Sequence, residues 1–475
     1  MLGLFGTLNL AARSMQTQMT GVEVSGQNLA NVNTAGYSRQ TVDIQTSPDI
    51  SSPIGSEGTG AEAVAIQQAV SSLLNNQIQG QQSTGGYWSA QQSALQSAQT
   101  DLNEFLNGTG SSSSATGSAS STSSSGLSGQ LSGLFSAFQS LSASPTSMTA
   151  RQAVVNQAQN LASTFNQIDS QLSAANVSLN SSLNNDVSSA NQLLSGIANL
   201  NSEISYASFS GGNANDLLDA REQDLENLSK LTNIQTSTGT GNAVNVSIGG
   251  QTLVSGTQVL DTLQTYDSGN GKMLVQTATG GTPLTLTGGS IQGTIDARDG
   301  ALATLQGSVN TLASTLINQV NAVHGSGYSL TGTTGANFFN GTDAATITVN
   351  ASLANDPSLI QAAGTATATG DNSIALQLAQ LGSTAQAGLN NETFSNSYDQ
   401  TVAGLGNSLA TANDQVTNQT AVSTMLQTQR GSISGVNIDE EMTNLMGFQR
   451  AYEASAQLVT TINTLMGDTL AMKAS

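Results

Sequence analysis

The chain has no cysteine, which excludes disulfides and thiolate metal sites and leaves the redox compartment open. It has one histidine and one tryptophan, and aromatic residues make up only 4% of its 475 positions. Any core must therefore be built from Leu, Val, Ile and Ala, and the 37% hydrophobic fraction is enough to build one. Charge is scarce as well, at 8% of residues against roughly a quarter in an average soluble domain. Lysine occurs only at Lys230, Lys272 and Lys473. Solubility falls to Ser, Thr, Asn, Gln and Gly, a surface that repels its neighbours weakly and suits close packing of many copies. The net charge is −20. Nucleic acid and anionic membrane surfaces are poor partners for such a chain, because both need clustered Lys and Arg. No stretch approaches the ~18–20 apolar residues that cross a bilayer, so no membrane insertion is expected. Met1 to Ala12 is mildly apolar but has no basic residue before Arg13. The basic region of a cleaved secretory signal is missing, and an external protein of this kind would leave by another route.

The residues that carry chemistry are also missing. A Ser-His-Asp triad or a His-bearing metal site must use His324. It follows Val323 at the end of a helical pattern, where a cationic side chain satisfies the last carbonyls. No Gly-x-Ser-x-Gly elbow is present. The pair Gly271-Lys272 is followed by Met273 and lacks the first Gly of a phosphate-binding loop. Asp216 and Asp219, like Asp439-Glu440-Glu441, read as negative charge at helix starts. No catalytic residue, cofactor or metal site is expected, and the chain reads as no enzyme.

What is present is periodicity. Leu4, Leu8, Ala11, Met15, Met19 and Val22 recur at steps of three and four, one apolar strip on a first helix. It fades over Ser25–Asn28 and stops in Asn31-Val-Asn33-Thr-Ala-Gly36, where Asn33 and Gly36 end the helix. Tyr37 to Thr46 reads as an extended arm. A polar helical stretch spans roughly 64–106, and 108–126 is a Ser/Gly-rich linker. Leu161, Phe165, Ile168, Leu172, Leu179, Leu183, Val187, Leu194, Ile197 and Ile204 hold one phase in a helix over about 149–206. Such a helix implies a rod-like domain. The period changes to two at Val244, Val246 and Ile248, followed by the turn Gly249-Gly250. Helix returns with Leu302, Leu305, Val309, Leu312, Leu316, Val320 and Val323. A last strip runs through Leu445, Phe448, Tyr452, Val459, Ile462 and Met466.

The expected fold is mainly α with an inserted β domain. Residues 1–60 and 430–475 form a terminal helical assembly domain with its arm. Residues 61–231 and 296–429 form a helical rod-like domain. Residues 232–295 form the β domain, with 325–370 a loop and β extension. Burying Leu, Ile or Phe gives about 1.5–3 kcal/mol each, far more than the few surface ion pairs supply. The terminal strips must therefore find partners. Core within the chain is the ordinary reading of each; contact with sister subunits is the sharper one. On the sharper reading the assembly interface comprises Leu4, Leu8, Met15, Met19, Val22, Asn28, Asn31, Asn33, Gly36 and Tyr37 at one end. Leu445, Phe448, Tyr452, Val459, Ile462 and Met466 complete it at the other.

Ser25-Gly-Gln-Asn-Leu-Ala-Asn-Val-Asn-Thr-Ala-Gly-Tyr-Ser-Arg-Gln40 closely resembles the N-terminal signature of the flagellar rod, hook and hook-associated proteins. Ser434-Gly-Val-Asn-Ile-Asp-Glu-Glu-Met442, continuing through Gln449-Arg-Ala-Tyr-Glu-Ala-Ser-Ala456, resembles their C-terminal signature. Asp216-Leu-Leu-Asp-Ala-Arg-Glu222, Gly293-Thr-Ile-Asp-Ala-Arg-Asp-Gly300, Val320-Asn-Ala-Val-His324, Gly327-Tyr328 and Gly335-Ala-Asn-Phe-Phe339 look like the members that join hook to filament. Position 35 is Ala where the family pattern commonly has Pro, so the arm leaves the helix at a less rigid angle. The resemblance implies a secreted structural subunit at the hook–filament junction of the bacterial flagellum, exported by the flagellar type III system. It would polymerise with copies of itself in a helical assembly through its terminal helices. The other implied partners are the hook protein, a second hook-associated junction protein, and a cytoplasmic export chaperone at the C-terminal helix. Within the family, the hook protein or the second junction protein is the alternative. Outside it, the alternative is a Ser/Thr-rich surface adhesin.

Overall fold

The computed structural model describes residues 3–52, 55–101, 126–210, 212, 214–269 and 271–474. Apart from Gly126, the Ser/Gly-rich stretch 108–126 lies outside these residues. Eleven α-helices are seen among them: α1 (Leu4–Ala30), α2 (Ser72–Asp101), α3 (Leu127–Ala143), α4 (Met148–Phe209), α5 (Asn215–Leu231), α6 (Gly289–Asp296), α7 (Ala303–Gly325), α8 (Ala351–Asn355), α9 (Ser373–Gln380), α10 (Phe394–Ser434) and α11 (Ile438–Ala474). A π-helical segment, Ala297–Leu302, fuses α6 and α7 into one rod. The fold is mainly α with an inserted β domain, as the change of period predicts.

The longest helix organises the middle of the molecule. α4 has 62 residues, about 93 Å at 1.5 Å per residue. Ser147 starts it, its hydroxyl accepting from the Ala150 N–H at 3.3 Å. Every residue of the predicted α4 strip is buried except Leu179, which is half-buried. The strip serves two cores. Its N-terminal half, through Leu172, packs with α3, α7, α9 and the start of α10. Its C-terminal half, from Leu183, packs with α5, α6 and the β strands.

After four arm strands, β1 (Gln40–Thr46), β2 (Ile50–Ser52), β3 (Gly55–Glu57) and β4 (Ala61–Gln68), the β domain holds β5 (Ile234–Thr238), β6 (Val244–Ile248), β7 (Gln251–Ser255) and β8 (Gln258–Val259) in one antiparallel sheet. Gly249 and Gly250 turn β6 into β7 with φ of 56° and 82°, the left-handed values that favour glycine. β9 (Leu263–Asp267) and β10 (Met273–Thr277) form a separate hairpin. In the 325–370 extension, β11 (Phe339–Asn340) pairs with β12 (Thr348–Val349).

Two local expectations are corrected. Residues 64–68, expected to open the helical stretch, belong instead to a strand over 61–68. The arm forms β1 (Gln40–Thr46), β2 (Ile50–Ser52), β3 (Gly55–Glu57) and β4 (Ala61–Gln68), and β1 pairs with β4 from Gln40↔Gln68 to Thr46↔Ala61. His324 is not a cationic cap. It is fully buried, with Nδ1 on the Ala336 carbonyl at 2.8 Å and Nε2 accepting from the Gln361 N–H at 3.0 Å. Those bonds need the neutral ring protonated on Nδ1. Burial, reinforced by the charge of Arg151, lowers its pKa to about 4.

Candidate functional site

Three signatures far apart in sequence meet at one place, where the arm leaves α1. Asn28 is buried in the last turn of α1. Its Nδ2 donates to the Gln40 carbonyl at 2.8 Å, and its Oδ1 accepts from the Gln40 N–H at 2.9 Å. The side-chain amide thus acts as a strand partner for Gln40 and closes the loop between them. The Tyr37 hydroxyl donates to the same Oδ1 at 2.9 Å.

Residues 38–40 then fasten the arm to three further helices. The Ser38 N–H donates to Asp219 of α5 at 2.9 Å. The Arg39 N–H donates to the carbonyl of Ser434, the last residue of α10, at 2.8 Å. The Arg39 guanidinium pairs with Glu440 in the first turn of α11 at 3.0 Å. The Gln40 side chain donates to Asp216 at 3.1 Å and accepts from Asn215 at 3.2 Å. Asp219 is therefore more than a helix-start charge, because its carboxylate receives the arm. Burial raises its pKa, against the lowering effect of the Ser38 hydrogen bonds. Burial also pushes Tyr37 up to about 12, helped by the charges of Asp216, Asp219 and Glu441. Below the arm, Glu222 accepts from Gln79 at 2.9 Å, and Glu226 pairs with Arg430.

Helix termination differs in detail from expectation. Asn31 is the C-cap of α1, its Nδ2 donating to the Gln27 carbonyl at 3.1 Å. Asn33 is an exposed turn residue, and Gly36 follows with φ of 81°.

Beyond this hub α1 and α11 run antiparallel. The hydroxyls of Ser14 and Ser455 lie 3.0 Å apart, and seven residues further along α1 Gly21 faces Phe448. A Cβ on Gly21 would lie 2.6 Å from the Phe448 ring, so the close approach of the helices requires glycine there. α1 is the principal packing partner of α11. The two predicted strips therefore face each other within the chain. Ile462 is buried, and Leu8, Met15, Val22, Leu445, Phe448, Tyr452, Val459 and Met466 are half-buried. Leu4 and Met19 stand outside the seam with Phe5, which is 73% exposed. On α11, Met442, Met446, Leu458, Leu465 and Leu470 face outward, the last 70% exposed.

The missed members of the hub are Gln40, Asn215, Glu440 and Gln68, whose Nε2 donates to the Asn215 carbonyl at 2.7 Å. They are polar, so apolar periodicity gives no sign of them. Among the described residues no group of His, Asp or Glu could hold a metal ion, and no helix is long and apolar enough to cross a membrane.

Known proteins resemble this chain in sequence and fold. Residues 112–339 match the family described as the flagellar hook-associated protein FlgK helical domain. Residues 427–472 match the C-terminal family of the flagellar basal body rod FlgEFG proteins. Flagellar hook-associated protein 1 of Bacillus subtilis strain 168 is 26% identical, over 98% of this chain and 98% of its own length. Flagellar hook-associated protein 1 of Salmonella typhimurium is 24% identical, over 96% of this chain and 98% of its own. In fold, the chain is similar to the flagellar hook junction protein FlgK of Burkholderia pseudomallei, with a TM-score of 0.62 at 19% identity. That likeness covers 76% of this chain and all of the solved one. The proteins this chain is similar to are structural proteins of the flagellum, not enzymes. Within that class the chain is similar along nearly its whole length to flagellar hook-associated protein 1, and its middle matches the FlgK helical domain.

Proposed function

We propose that this chain is the subunit forming the first zone between hook and filament, and that it polymerises through α1 and α11. On this reading it is exported by the flagellar type III system, docked by a cytoplasmic chaperone on α11, and ends outside the cell. Its neighbours are copies of itself, the hook protein below and a second hook-associated junction protein above. The supporting observation is that α1 and α11 cover only one face of each other. Leu4, Phe5 and Met19 on one helix, and Met442, Met446, Leu458, Leu465 and Leu470 on the other, remain exposed. Burying eight such side chains between copies is worth on the order of 10 kcal/mol. Contacts that repeat without closing a small ring build a helical tube.

The test is a chain truncated after residue 440. The expected result is an intact middle by circular dichroism and no incorporation into flagella. The full chain, labelled with an antibody to the β domain, should form a narrow band at the outer end of the hook. Normal incorporation of the truncated chain would overturn the assignment.

A further inference from the structure

The two hydrophobic cores do not merge. On α4 the fully buried residues of the first end at Leu172, and those of the second begin at Leu183. On the rod formed by α6 and α7, the second core ends at Ile295 and the first begins at Leu302. The π segment Ala297–Leu302 fills that gap. Half-buried Ala175, Leu179 and Ala301 extend the first core a little, and buried Ala297 lies in the gap but belongs to neither core.

The gap is occupied by hydrogen-bonded side chains from three helices. Tyr87 of α2 donates to Asp296 at 2.8 Å and accepts from Gln91 at 2.7 Å. Gln292 donates to the other oxygen of Asp296 at 2.7 Å. Arg298, 1% exposed, donates through Nη1 to Asn180 of α4 at 2.7 Å. Its Nε and Nη2 hold Asp299, each at 2.9 Å. Asn180 in turn donates to Asn176 at 3.3 Å.

A close-packed apolar core moves as one body, because any shift opens voids. A layer of polar side chains has no such interdigitation to lose, and its amides and carboxylates can exchange partners. π segments inside helices recur at functional positions and loosen the regular ladder. We propose that the layer of Tyr87, Asn180, Asp296 and Arg298 is a flexure between two rigid cores. Through it the half that carries the β domain bends relative to the half that carries α3, α9 and the start of α10. The rival is a rigid register pin, the best-attested role of a buried polar layer.

The cysteine-free chain allows the two to be separated by spin-label distances in the full-length protein. Labels at Ser140→Cys and Thr252→Cys span the layer, and labels at Ser140→Cys and Ser408→Cys stay within one half. All three sites are exposed. A flexure gives a distance distribution across the layer roughly twofold broader than within the half. Equal widths would overturn the proposal. Location is tested by Tyr87→Phe with Asp296→Leu, which removes the Tyr87–Asp296–Gln292 part of the layer and should narrow the spanning distribution toward the control width. A folded variant that keeps the full breadth would also overturn it. Hydrogen exchange on the unmutated chain gives a reading that needs no variant to fold. Amides of 176–182 and 296–302 should exchange faster than the helical turns on either side, and equal protection would overturn the flexure.

Discussion

Arg151 and His324 grip one peptide unit from its two sides. Arg151 Nη1 donates to the Ile360 carbonyl at 2.6 Å, and the N–H of the same peptide, on Gln361, donates to His324 Nε2 at 3.0 Å. Arg151 also donates through Nε to the Pro145 carbonyl at 2.9 Å. A residue at the start of α4 and one at the end of α7 thus fix the same turn of the 325–370 extension.

His324 should make stability fall in acid. Its folded pKa of about 4 lies below the ordinary histidine value of 6.5. The unfolded chain therefore binds the extra proton first as pH falls. The contribution is fully present above ~6.5, declines as pH drops, and is gone below the folded pKa, a loss on the order of 3 kcal/mol. Asp186, Asp219 and Glu222 have raised pKa values and act in the opposite sense, since protonation favours their buried forms. The check is urea unfolding from pH 7 to 4, with His324→Gln as the reference. The difference between the two chains should shrink steadily with pH, and a constant difference would contradict the assignment.

Arg151→Met should cost about 3–5 kcal/mol, because it strips the hydrogen bonds to the Pro145 and Ile360 carbonyls. Burial already holds the Arg151 pKa down to about 10. Equilibrium unfolding of the variant checks this, and Arg151→Lys should recover only part of the loss, since one ammonium cannot span the same carbonyls.

Asn28→Asp should weaken the hub by about 2 kcal/mol, keeping the shape of Asn28 but losing the donor to the Gln40 carbonyl. Proteolysis should then cut between residues 31 and 39 sooner, while the β domain keeps its protection. Unchanged cleavage would show that the amide pairing does not hold the arm.

The seam between the ends can be trapped chemically. Ser14→Cys with Ser455→Cys should oxidise to a disulfide within one chain. Adding Gly21→Leu, which forces the Phe448 ring away, should slow that closure severalfold. Gel mobility before and after reduction reads both outcomes. A disulfide formed only between chains would show that the strips meet across copies.

The α4 strip, the β domain and the rod from 302 to 323 are legible because large apolar side chains repeat there at the period of the element that buries them. β4 is not legible. It carries Ala61, Ala63 and Ala65 with no clean alternation, and its partner β1 lies across a two-strand tip. The π segment leaves no mark in a pattern that registers only faces. At the hub, the residues that the strips name are the helix seam, whereas Gln40, Asn215 and Asp219 are found only when their partners are brought beside them. His324 is correctly structural, but its burial depends on Ala336 and Gln361, which no local pattern joins to it.

The antiparallel seam joins residues separated by almost the full length of the polypeptide, as Ser14 and Ser455 illustrate. Whichever end is delivered first must wait for the other before the seam can close. Any product broken off early holds one side of a joint with nothing to close on, so the architecture itself discriminates between finished and unfinished molecules.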